Sequence, residues 1–125
     1  MKSSELLDFI NGKMSSEQFK LTLAGDVKIY ESLLKKKGSS IPLHFIEDRE
    51  LVLDTVVVKT LLQETCNGKI SNVDLAYICD CLTLGEIVRF ENEVVEDIIF
   101  AIADPEINGG FKNEQDVKNY LQRLS

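Results

Sequence analysis

The chain has one histidine, two prolines, three cysteines and no apolar run near the roughly 18 residues that span a bilayer. Each shortage excludes something. A nucleophile–histidine–carboxylate arrangement would have to use His44, which lies beside Pro42 in a connecting segment. No G-x-S-x-G, C-x-x-C, H-E-x-x-H or phosphate-binding loop accompanies it, so no catalytic residues are assigned and the chain is expected not to be an enzyme. Cys66, Cys79 and Cys81 are an odd number. On a helix, Cys79 and Cys81 would point about 200° apart, which suits reduced, packed thiols rather than a shared metal ion. The only basic run, "LLKKK", has no aromatic interleaving, which argues against nucleic-acid binding. The N-terminal "MKSSELLDFING" places acids early and has no signal-peptide core, so the expected location is the cytoplasm.

What is present points to one domain, residues 1–125, at 44% hydrophobic and 28% charged. The charge is unevenly spread. Residues 1–73 carry ten basic and ten acidic side chains, whereas residues 74–125 carry four basic and eleven acidic, so the whole net charge of −7 resides in the second part. Such a surface repels nucleic acid and anionic membranes and attracts a basic protein.

The periodicity is helical throughout. "SSELLDFIN" predicts a first helix capped by Ser3 or Ser4. "SSEQFKLTLAGDVKIYESLLKKK" restarts from Ser15 or Ser16 and runs on as one bent helix or two, because Gly25 weakens its middle. Lys35, Lys36 and Lys37 suit the negative end of its dipole, and Gly38 ends it. "GSSIPLHFIED" is a connector in which Pro42 disfavours helix at Ile41. "EDRELVLDTVVVKTLLQETC", "SNVDLAYICDCLTL", "RFENEVVEDIIFAIA" and "NEQDVKNYLQRL" complete the set. The expected fold is all-α: a single compact bundle of about six helices joined by short Asn-Gly turns.

Those turns form a repeat. "INGKMSSEQF" from Ile10, "CNGKISNVDL" from Cys66 and "INGGFKNEQDV" from Ile107 each lie between two predicted helices. Gly12, Gly68 and Gly109 permit the positive φ at which a helix stops; Met14, Ile70 and Phe111 can fold back on it, and Ser15, Ser71 and Asn113 can cap the next. From Asp104 the frame also resembles a calcium loop, with Asp104, Glu106, Asn108 and Gly109 at its first, third, fifth and sixth positions. Its twelfth position is Gln115, where the ion needs a bidentate Glu. Turn chemistry is the stronger reading, and neither metal nor cofactor is expected.

The stretch "YICDCLTLGEIVRFENEVVEDIIFAIADPEINGGFKNEQDVKNYL", residues 77–121, resembles the helical immunity proteins of contact-dependent growth inhibition and related bacterial toxin systems. The resemblance implies an inhibitor that binds the C-terminal domain of one cognate toxin and blocks its active site. Such toxins are often basic nucleases, some acting on tRNA. On the charge asymmetry, Glu86, Glu91, Glu93, Glu96, Asp97, Asp104 and Glu106 would face the toxin's cations, with a buried apolar or aromatic anchor providing much of the holding energy. A homodimer is compatible with this reading. The alternatives are a non-enzymatic helical adaptor with a degenerate EF-hand-like loop and an acidic nucleic-acid mimic.

Overall fold

Ser3 and Ser4 do not cap the first helix. In the computed structural model, which describes residues 1–36, 41 and 43–125, helix α1 (Ser3–Ile10) has Lys2 as its N-cap residue. The Lys2 N–H donates to Glu5 Oε1 at 3.0 Å. Both serine hydroxyls turn instead to Asp48, at 2.9 Å from Ser3 and 2.5 Å from Ser4, and the Ser4 N–H also donates to that carboxylate. A carboxylate distant in sequence has displaced the local cap.

Helix α2 (Ser16–Leu34) is one continuous element that carries Gly25 within it, and the Ser15 hydroxyl accepts from the Gln18 N–H at its start. Lys37, Gly38 and Pro42, to which the end of this helix and the following turn were assigned, lie outside the described residues.

The next element departs from the all-helical expectation. Residues Leu51–Leu53 form strand β1 rather than the start of a long helix, and helix α3 (Thr55–Cys66) begins only after Asp54, whose Oδ1 accepts from the Val57 N–H at 2.8 Å. Helix α4 (Asn72–Leu84) follows, and then strand β2 (Val88–Phe90), which takes Arg89 and Phe90 out of the helix predicted from them. β1 and β2 pair in parallel, with Leu51 opposite Val88 and Leu53 opposite Phe90. Leu51 and Leu53 are buried while Val52 is exposed, the two-residue alternation of a strand. Helix α5 (Glu93–Ile102), capped by Asn92, and helix α6 (Glu114–Arg123), capped by Asn113, complete the chain. Among the described residues the fold is therefore mostly helical, with six helices and one small parallel strand pair.

α4 is the central element. Asp74 through Cys79, Cys81 and Leu82 are all buried, and the helix packs against α2, α3 and α5. A helix apolar on every side has to be enclosed by others. Around it, Phe9 of α1 stacks on Phe19 of α2 with ring centres 4.5 Å apart, and Tyr30 of α2 meets Tyr77 of α4 edge-on at 5.5 Å.

Two connections use the repeated Asn-Gly device with the same hydrogen bonds. Gly12 and Gly68 stand at φ +76° and +75°. The Lys13 N–H reaches back to the Asp8 carbonyl, and the Lys69 N–H to the Glu64 carbonyl. The remaining connections differ: β1 lies before α3, β2 lies between α4 and α5, and eleven residues (103–113) separate α5 from α6. Among the described residues no helix is long and apolar enough to cross a membrane.

Candidate functional site

Asp80 is the one acidic residue in the "YICDCL" core of α4, and it opens onto a cleft of about 590 Å³. Three elements converge there. Tyr30 comes from the last turns of α2, Thr83 and Leu84 from the end of α4, and Phe100 from α5. Ile41 and Leu43 close one wall, and Asp104, Glu106 and Asn108 of the α5–α6 connection form the other.

The floor is polar and fully paired. The Tyr30 hydroxyl donates to Asp80 Oδ2, and the Asp104 N–H donates to Asp80 Oδ1 at 2.7 Å. Burial pushes the Asp80 carboxyl above its ordinary value of 3.8; these two donors act against that shift, and the nearby Asp104 charge adds to it. Burial likewise raises the Tyr30 phenol, with the hydrogen bond and charge of Asp80 contributing next, so Tyr30 remains a donor at neutral pH. The rim is less enclosed: Glu106 is exposed, Leu84 is 65% exposed and Phe100 48% exposed.

The acids singled out in the sequence divide into three groups. Glu93, Glu96 and Asp97 are exposed on α5, and Phe100 continues their stripe one turn further on. Asp104 and Glu106 lie on the cleft itself. Glu86 is exposed in the segment after α4, whereas Glu91 has a local task, since its Oε2 accepts from the Thr55 N–H at 3.0 Å where α3 begins. Asp80, Tyr30, Leu84 and Phe100 escaped the sequence reading. The available signals were a lone charge inside an apolar helix and an aromatic ring on the outward side of "DIIFAIA".

The calcium-like frame is used for chain closure. The Asn108 amide donates to the Ala103 carbonyl at 2.5 Å and to the Phe100 carbonyl at 3.1 Å, and the Asn108 N–H binds the Asp104 carbonyl at 3.0 Å. These bonds satisfy the open end of α5. Asp104 itself adopts φ +50°, a left-handed conformation that non-glycine residues rarely take. Among the described residues, no three His, Cys, Asp or Glu side chains are arranged to hold a metal ion.

A second polar cluster surrounds His44. Its Nδ1 lies 3.4 Å from Asp26 Oδ1, and the Met1 ammonium lies 3.7 Å from Asp26 Oδ2 and donates to the His44 carbonyl. No serine, threonine or cysteine among the described residues is hydrogen-bonded to the His44 ring. Burial holds the thiols protonated: Cys79 is pushed well above 9.0 and Cys81 up to about 11. Comparison with protein-family models, with curated proteins and with solved structures finds no match to this chain.

Proposed function

We propose that the chain is a cytoplasmic immunity protein that covers the active site of a basic toxin domain. The observation that carries this reading is the α5 face: Glu93, Glu96, Asp97 and Phe100 run in one stripe towards a cleft edged by Asp104 and Glu106. Among the described residues none of these carboxylates is in an ion pair. Unpaired acids on a helix face, with a half-exposed aromatic ring beside them, provide charge for encounter and an apolar contact for retention. A nuclease domain offers the complementary surface, because the lysines and arginines that grip phosphate are grouped around its active site.

Leu84 and Phe100 on the rim of the same cleft favour a second reading, an adaptor that seats an apolar peptide or helix. One experiment separates the two. The chain is co-purified with a tagged C-terminal domain encoded by the neighbouring toxin-like reading frame. Immunity function gives a stoichiometric complex with a basic domain, and Glu93→Lys with Glu96→Lys and Asp97→Lys weakens it on the order of 100-fold with circular dichroism unchanged. Absence of any complex rejects the immunity reading, and an affinity indifferent to the reversals removes the acidic stripe from the interface.

A further inference from the structure

The cleft over Asp80 is short of donors. Its hydroxyl and amide side chains are all committed: the Tyr30 hydroxyl donates to Asp80 Oδ2, the Thr83 hydroxyl to the Asp80 carbonyl at 2.8 Å, and the Asn108 amide to the Ala103 and Phe100 carbonyls. What remains for an occupant is acceptors. Asp80, Asp104 and Glu106 line the cleft, and among the described residues none of them is in an ion pair and no lysine, arginine or histidine joins the lining. Lys112 is turned to the Asn108 carbonyl at 2.8 Å. The acids are too dispersed for a metal ion, since among the described residues no three such side chains are arranged to hold one. An anionic occupant would meet like charge and no free side-chain donor.

We propose that this cleft takes an arginine side chain of the protein partner. The occupant has to bring several N–H donors, no acceptor and a positive charge, and a guanidinium group has donors along its edges and no acceptor at all. Asp104 and Glu106 can take those edges. Phe100, 48% exposed on the wall, can take the face, because cations stack on aromatic rings. Phe90 backs that ring at 5.9 Å. Leu84, 65% exposed, suits the aliphatic stem. Asp80 lies beneath, half-buried and already bonded through both oxygens, and adds charge from below. An ammonium group fits less well, since its compact charge is more strongly hydrated and loses more on entering beside Phe100 and Leu84. A volume of about 590 Å³ exceeds one side chain, so the cleft also admits the backbone that flanks the arginine. Which protein carries the arginine rests on the immunity reading above; the fit of the cleft to a guanidinium group does not.

NMR titration of the full chain with a capped tripeptide centred on arginine tests this. Amide signals of Leu84, Phe100, Asp104 and Glu106 should shift with a Kd of about 1 mM. The citrulline tripeptide has the same shape without the charge and should bind roughly tenfold more weakly or worse, and the lysine tripeptide should fall between them. Asp104→Asn with Glu106→Gln should weaken the arginine tripeptide roughly tenfold. Circular dichroism should be unchanged, because Glu106 is exposed and asparagine tolerates the φ of +50° at position 104. Glu17→Gln, at the far end of α2 and about 20 Å from Tyr30, should leave binding as it is. The Asp80 carboxyl, raised by burial and by the Asp104 charge, should titrate lower with the arginine tripeptide bound. No shift at the cleft, equal binding of the citrulline tripeptide, or an affinity indifferent to the Asp104 and Glu106 changes overturns the proposal. So does a toxin complex whose Kd the same two changes leave unmoved. The titration uses the chain alone, so its failure overturns the cleft assignment and leaves the co-purification result standing.

Discussion

Asp48 lies at the surface, yet it holds the first helix to the connector ahead of β1 through two serine hydroxyls and one backbone N–H. These donors, led by the Ser4 hydroxyl, bring its carboxyl down from 3.8 to about 2. A carboxyl lowered by folding adds stability above its free value and loses it as pH falls through its folded value. Asp48→Asn should therefore lower Tm at neutral pH, and the gap from the parent should close between pH 3.8 and about 2; a gap that persisted below that range would refute the assignment. Asp80 has the opposite sign. Its carboxyl is raised, so the folded chain holds that proton more tightly, and its contribution to stability is greatest in acid and declines as pH rises through the folded value. Tyr30→Phe removes a donor to this half-buried carboxylate. It should cost about 1–3 kcal/mol at neutral pH and move the Asp80 midpoint further up. Urea unfolding reads the first effect and carbon-detected NMR titration of the Asp80 carboxyl reads the second; a midpoint that fell would contradict the hydrogen bond.

At the scale of elements, two glycines separate what is local from what is not. Gly25 sits within α2 with open space around it, whereas Gly68 closes α3 at φ +75°. Gly25→Ala should stabilise by about 1 kcal/mol through helix propensity. Gly68→Ala should destabilise by about 1–2 kcal/mol, because a side chain clashes in the left-handed region. Chemical denaturation measures both, and equal signs would show that the turn is not held as described. The same contrast explains what the sequence disclosed. The starts after Ser15, Ser71 and Asn113 were read from capping oxygens contained in a few adjacent letters, whereas those after Asp54 and Asn92 were placed too early because the strands before them were read as helix. The strands were not legible. Leu51–Leu53 is too short to establish a period, and its partner, Val88–Phe90, arrives only after two intervening helices. The cap of α1 was hidden for a similar reason, since Asp48 is 44 residues from Ser4.

For the whole molecule, the division of charge was legible by counting, but its geometry was not. Glu93, Glu96 and Asp97 could be placed on one helix face from their spacing alone. Joining Asp80, Tyr30 and Phe100 to Asp104 around one cleft required α2, α4 and α5 to be packed together. In the proposed complex the acids and the ring would have different tasks, and the tasks separate in kinetics. Charges at the rim act on a basic partner while it is still diffusing, over about a Debye length, so their loss slows association and the effect shrinks with added salt. Phe100 is 48% exposed and leans on Phe90 at 5.9 Å, so its free surface becomes buried only after contact. For the toxin complex proposed above, Glu93→Lys with Glu96→Lys and Asp97→Lys should reduce the association rate roughly tenfold or more at low salt, with most of the loss gone near 1 M salt. Phe100→Ala should leave association nearly unchanged and speed dissociation by about tenfold to a hundredfold, independently of salt. Surface plasmon resonance across a salt series reads both rates. If Phe100→Ala instead slowed association and left dissociation alone, the ring would not be the anchor, and the apolar contact would have to be sought elsewhere on the cleft rim, at Leu84 first.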